Sequence, residues 1–557
     1  MIEKIRLKFG SSLESPKLEL STTPITIFVG PNNSGKSKVL REIQQYCGSG
    51  ATNNQFVIID DIQFNEIEAG LREQLIKEHT LSPNPNERIN QGNILFGNGM
   101  VRHQLNAAAP DSFLNNPNAN KSNFCRYFLS FKTLLLNGLN RINLVNDQGM
   151  GDLQQAPQNN LATLFQDDEK RLEVRRIINE AFNLYFVLDP TNSGQLRIRL
   201  SKTTPENHQV ERGLHKEAVE FHKQAMHINE ASDGVKAFTG IITSIVAGNP
   251  KITILDEPEA FLHPALSFKL GKEVGTTSKV ALNKLFVSTH SSNFLMGCIQ
   301  SGAPLNVVRL TYSNEKATAR ILNNAKINQL MRDPMLRSTG VLNALFYEFV
   351  VVVEGDSDRA FYQEINERLS LFNSQESVPN CLFINSQGKD TIWKIVQPLR
   401  EMGIPTAAIF DIDILKNEGN NWTNAMKACS LPEITIQNLS QTRSQIKKKL
   451  VDSGKDMKKD GGINLLEAAD KEAAENMFNQ LEEYGLFVVR NGEVESWLSN
   501  LGVKVHKSVW LSSMFEKMGS NPESADYLKP TDDDVWAFMG EIKKWMSNNL
   551  RKGIPIK

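Results

Sequence analysis

Residues 25–37 constrain this chain more than any other stretch. The apolar, β-branched run Ile25-Thr26-Ile27-Phe28-Val29 feeds Gly30-Pro31-Asn32-Asn33-Ser34-Gly35-Lys36-Ser37, and the segment behind it, Lys38-Val39-Leu40-Arg41-Glu42-Ile43, has helical character. The loop has the spacing G-x-x-x-x-G-K-[ST] in the strand–loop–helix context that motif needs. Gly30 and Gly35 admit backbone torsions that other residues resist. Consecutive N–H groups, those of Asn32, Asn33 and Ser34 included, can then turn inward on a phosphate chain. The helix adds its positive N-terminal end. Lys36 is placed to reach the β- and γ-phosphates, and the Ser37 hydroxyl to ligate Mg²⁺.

At 557 residues the chain is too long for one core, and two to four domains are expected. Its formal net charge is −1, so no overall field draws in nucleic acid, and any such contact must come from local basic patches. Cys47, Cys125, Cys298, Cys381 and Cys429 are scattered without a C-x-x-C pair. That argues against a zinc ribbon or disulfide framework and fits a reducing cytoplasm. Met1–Phe9 alternates apolar and charged residues, as a half-buried strand does and a signal peptide does not. No apolar run approaches the roughly 20 residues needed to cross a bilayer. A soluble, cytoplasmic protein without a membrane partner is expected.

The second decisive stretch is Lys251-Ile252-Thr253-Ile254-Leu255-Asp256-Glu257-Pro258-Glu259-Ala260-Phe261-Leu262-His263-Pro264. Its apolar run carries Asp256 and Glu257 at the carboxyl edge, where ligands bind in open α/β sheets. Asp256 is placed to hold Mg²⁺ and Glu257 to polarise the water that attacks the γ-phosphate. Another strand, Lys284-Leu285-Phe286-Val287-Ser288, ends in Thr289-His290-Ser291, with His290 expected at the γ-phosphate.

These three motifs, in this order, resemble the ABC-type ATPase heads of the SMC and OLD (overcoming lysogenisation defect) families. In those heads a signature segment from a partner subunit completes the nucleotide site. Its counterpart here is Ala231-Ser232-Asp233-Gly234-Val235-Lys236, whose Ser232 and Gly234 keep a Ser-x-Gly core but depart from the Leu-Ser-Gly-Gly-Gln of transporters.

Between loop and signature lies an insertion, about residues 84–230. Its first part, about Asn84 to Asn160, is rich in Asn, Gln, Pro and Gly and reads as loops with a few helices and short apolar pieces such as Tyr127–Leu136. Asp168–Phe182 reads as a charged helix, and Leu184–Leu188 with Gln195–Leu200 as a hairpin across Pro190–Gly194. The resemblance implies that such insertions form dimer contacts. His215 and His222 share a helix face while His227 points elsewhere, so a solvated helix is expected there rather than a metal site.

From Phe346 the chain changes character. Phe349-Val350-Val351-Val352-Val353 reads as a strand buried on both faces, ending in Glu354-Gly355-Asp356-Ser357-Asp358. Gly355 permits a tight turn, Asp356 or Ser357 can cap the following helix, and Glu354 is left at the strand's exposed carboxyl end. A second strand, Cys381–Ile384, leads to Gly388 and Lys389, which is a candidate phosphate contact. A third, Pro405–Phe410, ends in Asp411-Ile412-Asp413. Residues two apart on a strand point the same way, so Asp411 and Asp413 are expected to project together, and paired hard oxygens suit Mg²⁺.

Strand-Glu-Gly followed by strand-Asp-x-Asp resembles a Toprim domain, the metal-dependent fold of topoisomerases, primases and OLD nucleases. The resemblance implies that Glu354, Asp411 and Asp413 face one cluster and that Asp358 is the extra acidic residue of OLD nucleases. A fourth strand, Leu486–Val489, precedes Glu493 and Glu495, of which Glu495 is favoured as the late glutamate at a second metal. Two metals would divide the work, one activating water and the other neutralising the leaving 3′-oxygen. No tyrosine stands out as a topoisomerase-type nucleophile, which favours hydrolysis by water. OLD nucleases also place a late lysine near the cleavage site, and Lys504, Lys507, Lys517 and Lys529 are all candidates. The basic run Lys447-Lys448-Lys449 through Lys455, Lys458 and Lys459 suits either a DNA backbone or a solvated face.

The expected architecture is therefore α/β: an ABC-type ATPase domain over residues 1–345, then a Toprim domain over 346–557. The expected function is an ATP-regulated, Mg²⁺- or Mn²⁺-dependent DNA endonuclease of the OLD family, dimeric through its ATPase domain. The family suggests anti-phage defence, with a companion such as a helicase or a reverse transcriptase–RNA complex. The alternatives are an ATP-driven sensor or scaffold whose Toprim domain binds nucleic acid without cutting, and a primase- or topoisomerase-like enzyme.

Overall fold

The computed structural model describes residues 1–555 except 13, 85–86, 99–100, 139, 156, 249, 281–282, 314, 326, 328–330, 332–339, 417–419 and 506; the side chains of 280, 313, 420, 507 and 508 are likewise outside the description. The chain divides into two compact units, Met1–Ile327 and Asn328–Lys557. The 3-10 helix Val341–Phe346 packs on the helix Ile392–Glu401 of the second unit.

Among the described residues, the main sheet of the first unit has six strands. Their order is Lys316–Leu322, Leu305–Ser313, Ile25–Val29, Lys284–Ser288, Ile252–Asp256 and Thr133–Leu136. Every neighbouring pair is parallel except the hairpin formed by the first two. Ile25–Val29 is buried along its whole length, which is why its apolar run does not alternate. Parallel pairing puts the carboxyl ends of the phosphate-loop, His290 and acidic strands on one edge. Lys284–Ser288 lies between the other two, so Ser288-Thr289-His290 emerges between the loop and Asp256-Glu257.

The insertion corrects the expectation of loops with stray apolar pieces. Thr133–Leu136 is the edge strand of the main sheet, paired in parallel with Ile252–Leu255. Phe96, Phe113, Phe124 and Phe128 belong to the same buried cluster as Val39 and Ile254. The Asn- and Pro-rich composition marks turns, while widely spaced aromatics between them do the burying. The helix Asp168–Phe182 forms as expected, and the hairpin pairs Tyr185–Asn192 with Gln195–Ser201 across a tighter turn at Ser193-Gly194. His222 is not solvated: it is buried, with Nε2 2.9 Å from the Glu211 carbonyl oxygen. His215 and His227 pair separately with Glu217 and Asp147, so the three histidines do not converge.

The described sheet of the second unit is parallel, in the order Cys381–Asn385, Phe349–Val353, Thr406–Asp411 and Leu486–Val489. Arg400 ties its far edge together. This guanidinium is fully buried and, among the described residues, donates to carbonyls, those of Thr406, Tyr484, Gly485 and Gly553 among them, while lying over the Trp545 ring. The central strands Phe349–Val353 and Thr406–Asp411 are neighbours, which brings their carboxyl ends side by side.

Candidate nucleotide site and acidic metal centre

The phosphate loop has the torsions that its spacing implies. Gly30, Asn33 and Gly35 have φ of 145°, 60° and 94°. A Cβ on Gly30 would lie 2.1 Å from the Leu310 carbonyl oxygen, so close approach as well as torsion demands glycine there. Asn32 and Asn33 are exposed at the loop tip, and Ser34 is buried with its Oγ making no hydrogen bond among the described residues. Lys36 begins the helix Lys36–Ser49, and its ammonium donates to the carbonyls of Gly30 at 3.0 Å and Pro31 at 2.7 Å. Burial lowers its pKa to about 8, against the opposing pull of Glu257, Asp256 and Glu259.

Ser37 Oγ donates to Asp256 Oδ1 at 2.9 Å, and Ser288 Oγ donates to the same oxygen. The hydroxyl and carboxylate expected at Mg²⁺ are thus already together. Glu257 is exposed, and its Oε1 lies 3.6 Å from His290 Nε2. Burial and the Lys36 charge lower the His290 pKa, which keeps the imidazole neutral near pH 7. Ser232 is exposed, just ahead of the helix Asp233–Gly248, and a Cβ on Gly234 would lie 2.6 Å from the Phe261 carbonyl oxygen.

Two participants have no role assigned from the sequence. Glu259 Oε1 accepts the His290 backbone N–H at 2.6 Å, and burial raises its pKa. Arg141, 1% exposed, donates from Nη1 to the Glu257 carbonyl at 2.6 Å. Its neighbours Asn137, Gly138 and Asn140 read as turn, and nothing local marks the arginine between them.

In the second unit, Glu354, Asp411 and Asp413 each offer a carboxylate oxygen within 4.8 Å of the others. Glu354 Oε1 accepts the Asp411 N–H at 3.0 Å, a bond that the neighbouring parallel strands make possible. Asp413 arrives differently from expectation. The strand ends at Asp411, and Asp413 sits in the 3-10 helix Ile412–Lys416, so a turn and not strand alternation brings it round. Gly355 is extended (φ −127°), and the helix cap comes from Asp358 Oδ2, which accepts the Gly355 N–H at 2.9 Å. Asp356 does not cap; it pairs with Arg359 and Asn385.

The cluster's electrostatics show why it wants a cation. Burial raises the Glu354 pKa to about 8, with Asp411 adding repulsion. Burial raises Asp411 to about 6, opposed by Lys458 and supported by Asp358 and Asp413. Asp413 Oδ1 is buried without a hydrogen bond among the described residues. Hard oxygens, mutual repulsion and an unused lone pair fit a divalent ion such as Mg²⁺ or Mn²⁺. Asp358 and Glu495 lie outside the convergent group; Glu495 is in the 3-10 helix Val494–Ser496.

Lys458 is the residue that sequence reasoning left on the surface. Its Nζ lies 2.6 Å from Asp411 Oδ2, 3.4 Å from Glu493 Oε2 and 3.8 Å from Asp413 Oδ2. Burial would depress its pKa, but Asp411, Asp413 and Glu354 raise it above the usual lysine value. A Cβ on Gly492 would come 2.0 Å from the Lys458 carbonyl oxygen, so backbone packing sets the lysine there. Lys389 Nζ pairs with Asp413 Oδ2 at 2.9 Å. Among the other late lysines, Lys504 and Lys517 are exposed, Lys529 lies over the Phe372 ring, and the Lys507 side chain is outside the described residues.

Two family models match the chain. Residues 25–296 match the family described as "AAA domain, putative AbiEii toxin, Type IV TA system", and residues 345–413 match "Overcoming lysogenization defect protein-like, TOPRIM domain". The chain joins an ATPase domain to an OLD-like Toprim domain. No curated protein matches it. Among solved structures it is similar to an SMC head bound to the C-terminal winged-helix domain of ScpA, at 15% identity over 59% of this chain and 99% of that one (TM-score 0.35). It is also similar to the SMC head domain from Thermotoga maritima, at 13% identity over 58% and 99% (TM-score 0.28). The ATPase-head architecture of the first unit rests on its strand order and loop geometry, not on those scores. Among its described residues no helix is long and apolar enough to cross a membrane.

Proposed function

We propose that the chain is an ATP-regulated, divalent-metal-dependent DNA endonuclease of the OLD type, acting in bacterial defence against phage. The observation that carries this reading is the convergence of Glu354, Asp411 and Asp413 at the carboxyl ends of adjacent parallel strands. Glu354, Asp411 and Asp413 would hold a divalent cation, which would supply water of lowered pKa and offset charge on a leaving oxygen. The protein's share is orientation and charge. The Asp411 N–H aims Glu354, Lys389 holds Asp413, and the two lysines bring positive charge to the place where a phosphodiester would approach. Asp358 and Glu495 would serve a second metal once the backbone of the DNA is in place.

In the ATPase unit, the loop amides and Lys36 would hold the polyphosphate, with Ser37 and Asp256 on its Mg²⁺. Glu257 orients the attacking water, with neutral His290 beside the γ-phosphate. Exposed Ser232, with Gly234, would meet the nucleotide of a second copy in a homodimer. The non-cleaving alternative has one observation in its favour: Lys458 already neutralises part of the acidic cluster.

Supercoiled plasmid incubated with Mg²⁺ or Mn²⁺ across ATP concentrations tests both readings. Nicked or linear DNA that disappears in Glu354→Ala and Asp411→Ala is expected, and Lys36→Ala should alter the ATP dependence more than the cutting itself. Plasmid left intact in every condition would sink the nuclease reading in favour of the scaffold. The defence role predicts fewer phage plaques on cells carrying the wild-type chain than on cells carrying Asp411→Ala.

A further inference from the structure

The turn after the acidic strand contains two non-glycine residues in the left-handed region, Glu257 at φ 51° and Phe261 at φ 72°. Such residues are strained and persist only when their surroundings hold them. Glu257 is held at both of its peptide groups. Its N–H donates to the Ser288 carbonyl at 3.0 Å, and its carbonyl accepts Arg141 Nη1 at 2.6 Å. The same guanidinium lies 6.0 Å from the centroid of the Phe261 ring, so one side chain stands beside both strained residues.

Arg141 is itself built in. It follows the edge strand Thr133–Leu136, and a Cβ on Gly240 would lie 2.4 Å from its carbonyl oxygen. Gly240 belongs to the helix Asp233–Gly248 that begins just after Ser232, and Gly234 of that helix approaches the Phe261 carbonyl more closely than a Cβ would allow. Arg141 thus stands where the edge strand, the acidic turn and the signature helix meet. Burial lowers its pKa while Glu259, Glu257 and Asp256 oppose that, so the cation stays charged among three carboxylates. It touches none of their side chains in a hydrogen bond; its contact is with the Glu257 backbone.

We infer that Arg141 is a positioning residue for nucleotide hydrolysis: it holds the Glu257 backbone in the left-handed turn that presents this carboxylate to the attacking water. The inference rests on the proposal that the first unit hydrolyses ATP. Because Arg141 contacts Glu257 and not the phosphate loop, its loss should slow turnover without weakening nucleotide binding. The full chain with Arg141→Met and Arg141→Lys is assayed for steady-state ATPase, for affinity towards a fluorescent ATP analogue and for thermal melting, with Lys36→Ala as the binding-deficient control. Expected are a fall in kcat of about tenfold or more in Arg141→Met, KM and analogue affinity within about twofold of wild type, and partial recovery of kcat in Arg141→Lys. Wild-type turnover in both variants would overturn the inference alone. So would parallel losses of kcat and analogue affinity, which would mark a merely structural arginine. A wild-type chain that hydrolyses no more ATP than Lys36→Ala would overturn the ATPase reading together with it.

Discussion

At the scale of single residues, the acidic centre is defined by charges that oppose one another. The folded pKa of Glu354, about 8, lies far above the value of roughly 4.3 for a free glutamate. For a group raised in this way, the stabilisation is complete below the unfolded pKa and is lost as pH climbs through the folded one. The cation-free protein should therefore lose stability between about pH 4 and about pH 8 on account of this residue. Glu354→Gln escapes that loss. In EDTA at pH 8 it should be more stable than wild type by roughly 1–2 kcal/mol, with the ordering reversed by Mn²⁺. Thermal melts at pH 5 and pH 8 check this, and a variant that melts lower than wild type at pH 8 in EDTA contradicts it. Lys458 makes a second prediction. Its ammonium occupies space beside the same oxygens, so a divalent ion must share or displace it. Lys458→Met should bind Mn²⁺ at least about fivefold more tightly, read by calorimetry; equal or weaker binding would show that the lysine helps the cation and does not compete with it.

At the scale of elements, the phosphate loop and the acidic turn illustrate two kinds of legibility. The loop could be read residue by residue because its chemistry is local: a glycine at each bend, a lysine and a serine at fixed offsets. Gly30→Ala tests that locality. With φ at 145° and the Leu310 carbonyl 2.1 Å from a new Cβ, the substitution should cost about 1–3 kcal/mol and weaken nucleotide binding, measured by denaturant unfolding and analogue titration. An alanine variant with unchanged binding would mean that the loop reshapes freely. The acidic turn was legible only in part. Asp256 and Glu257 stand out at a strand end, but the residues that hold them, Arg141 and Ser288, come from two other segments. The Asp-x-Asp pair was found for an inexact reason, since a 3-10 turn and not strand alternation brings Asp413 to Asp411.

For the whole molecule, each unit has a core of its own, and that of the second unit gathers Val351, Phe361, Ile409, Phe487 and Trp536 around its sheet. A fragment of residues 328–557 should then unfold cooperatively by itself and, on the nuclease reading, nick plasmid with Mn²⁺ regardless of ATP. Calorimetry and the plasmid assay on the fragment test this; a fragment without a cooperative transition would make the second unit dependent on the first.

The amino-acid sequence by itself determined the order of strands that end in function, because buried parallel strands must be continuous apolar runs and their carboxyl ends must carry the polar chemistry. It therefore marked the phosphate loop, Asp256-Glu257, His290, Glu354 and the Asp411/Asp413 pair as candidates. Only the tertiary structure decided that an Asn-rich insertion completes the sheet through Thr133–Leu136, that Arg141 donates to the Glu257 carbonyl in the acidic turn, and that Lys458 leaves its basic run for the acidic centre. Those outcomes depend on the folded path that brings distant segments within a few ångströms, and no spacing along the chain encodes that distance.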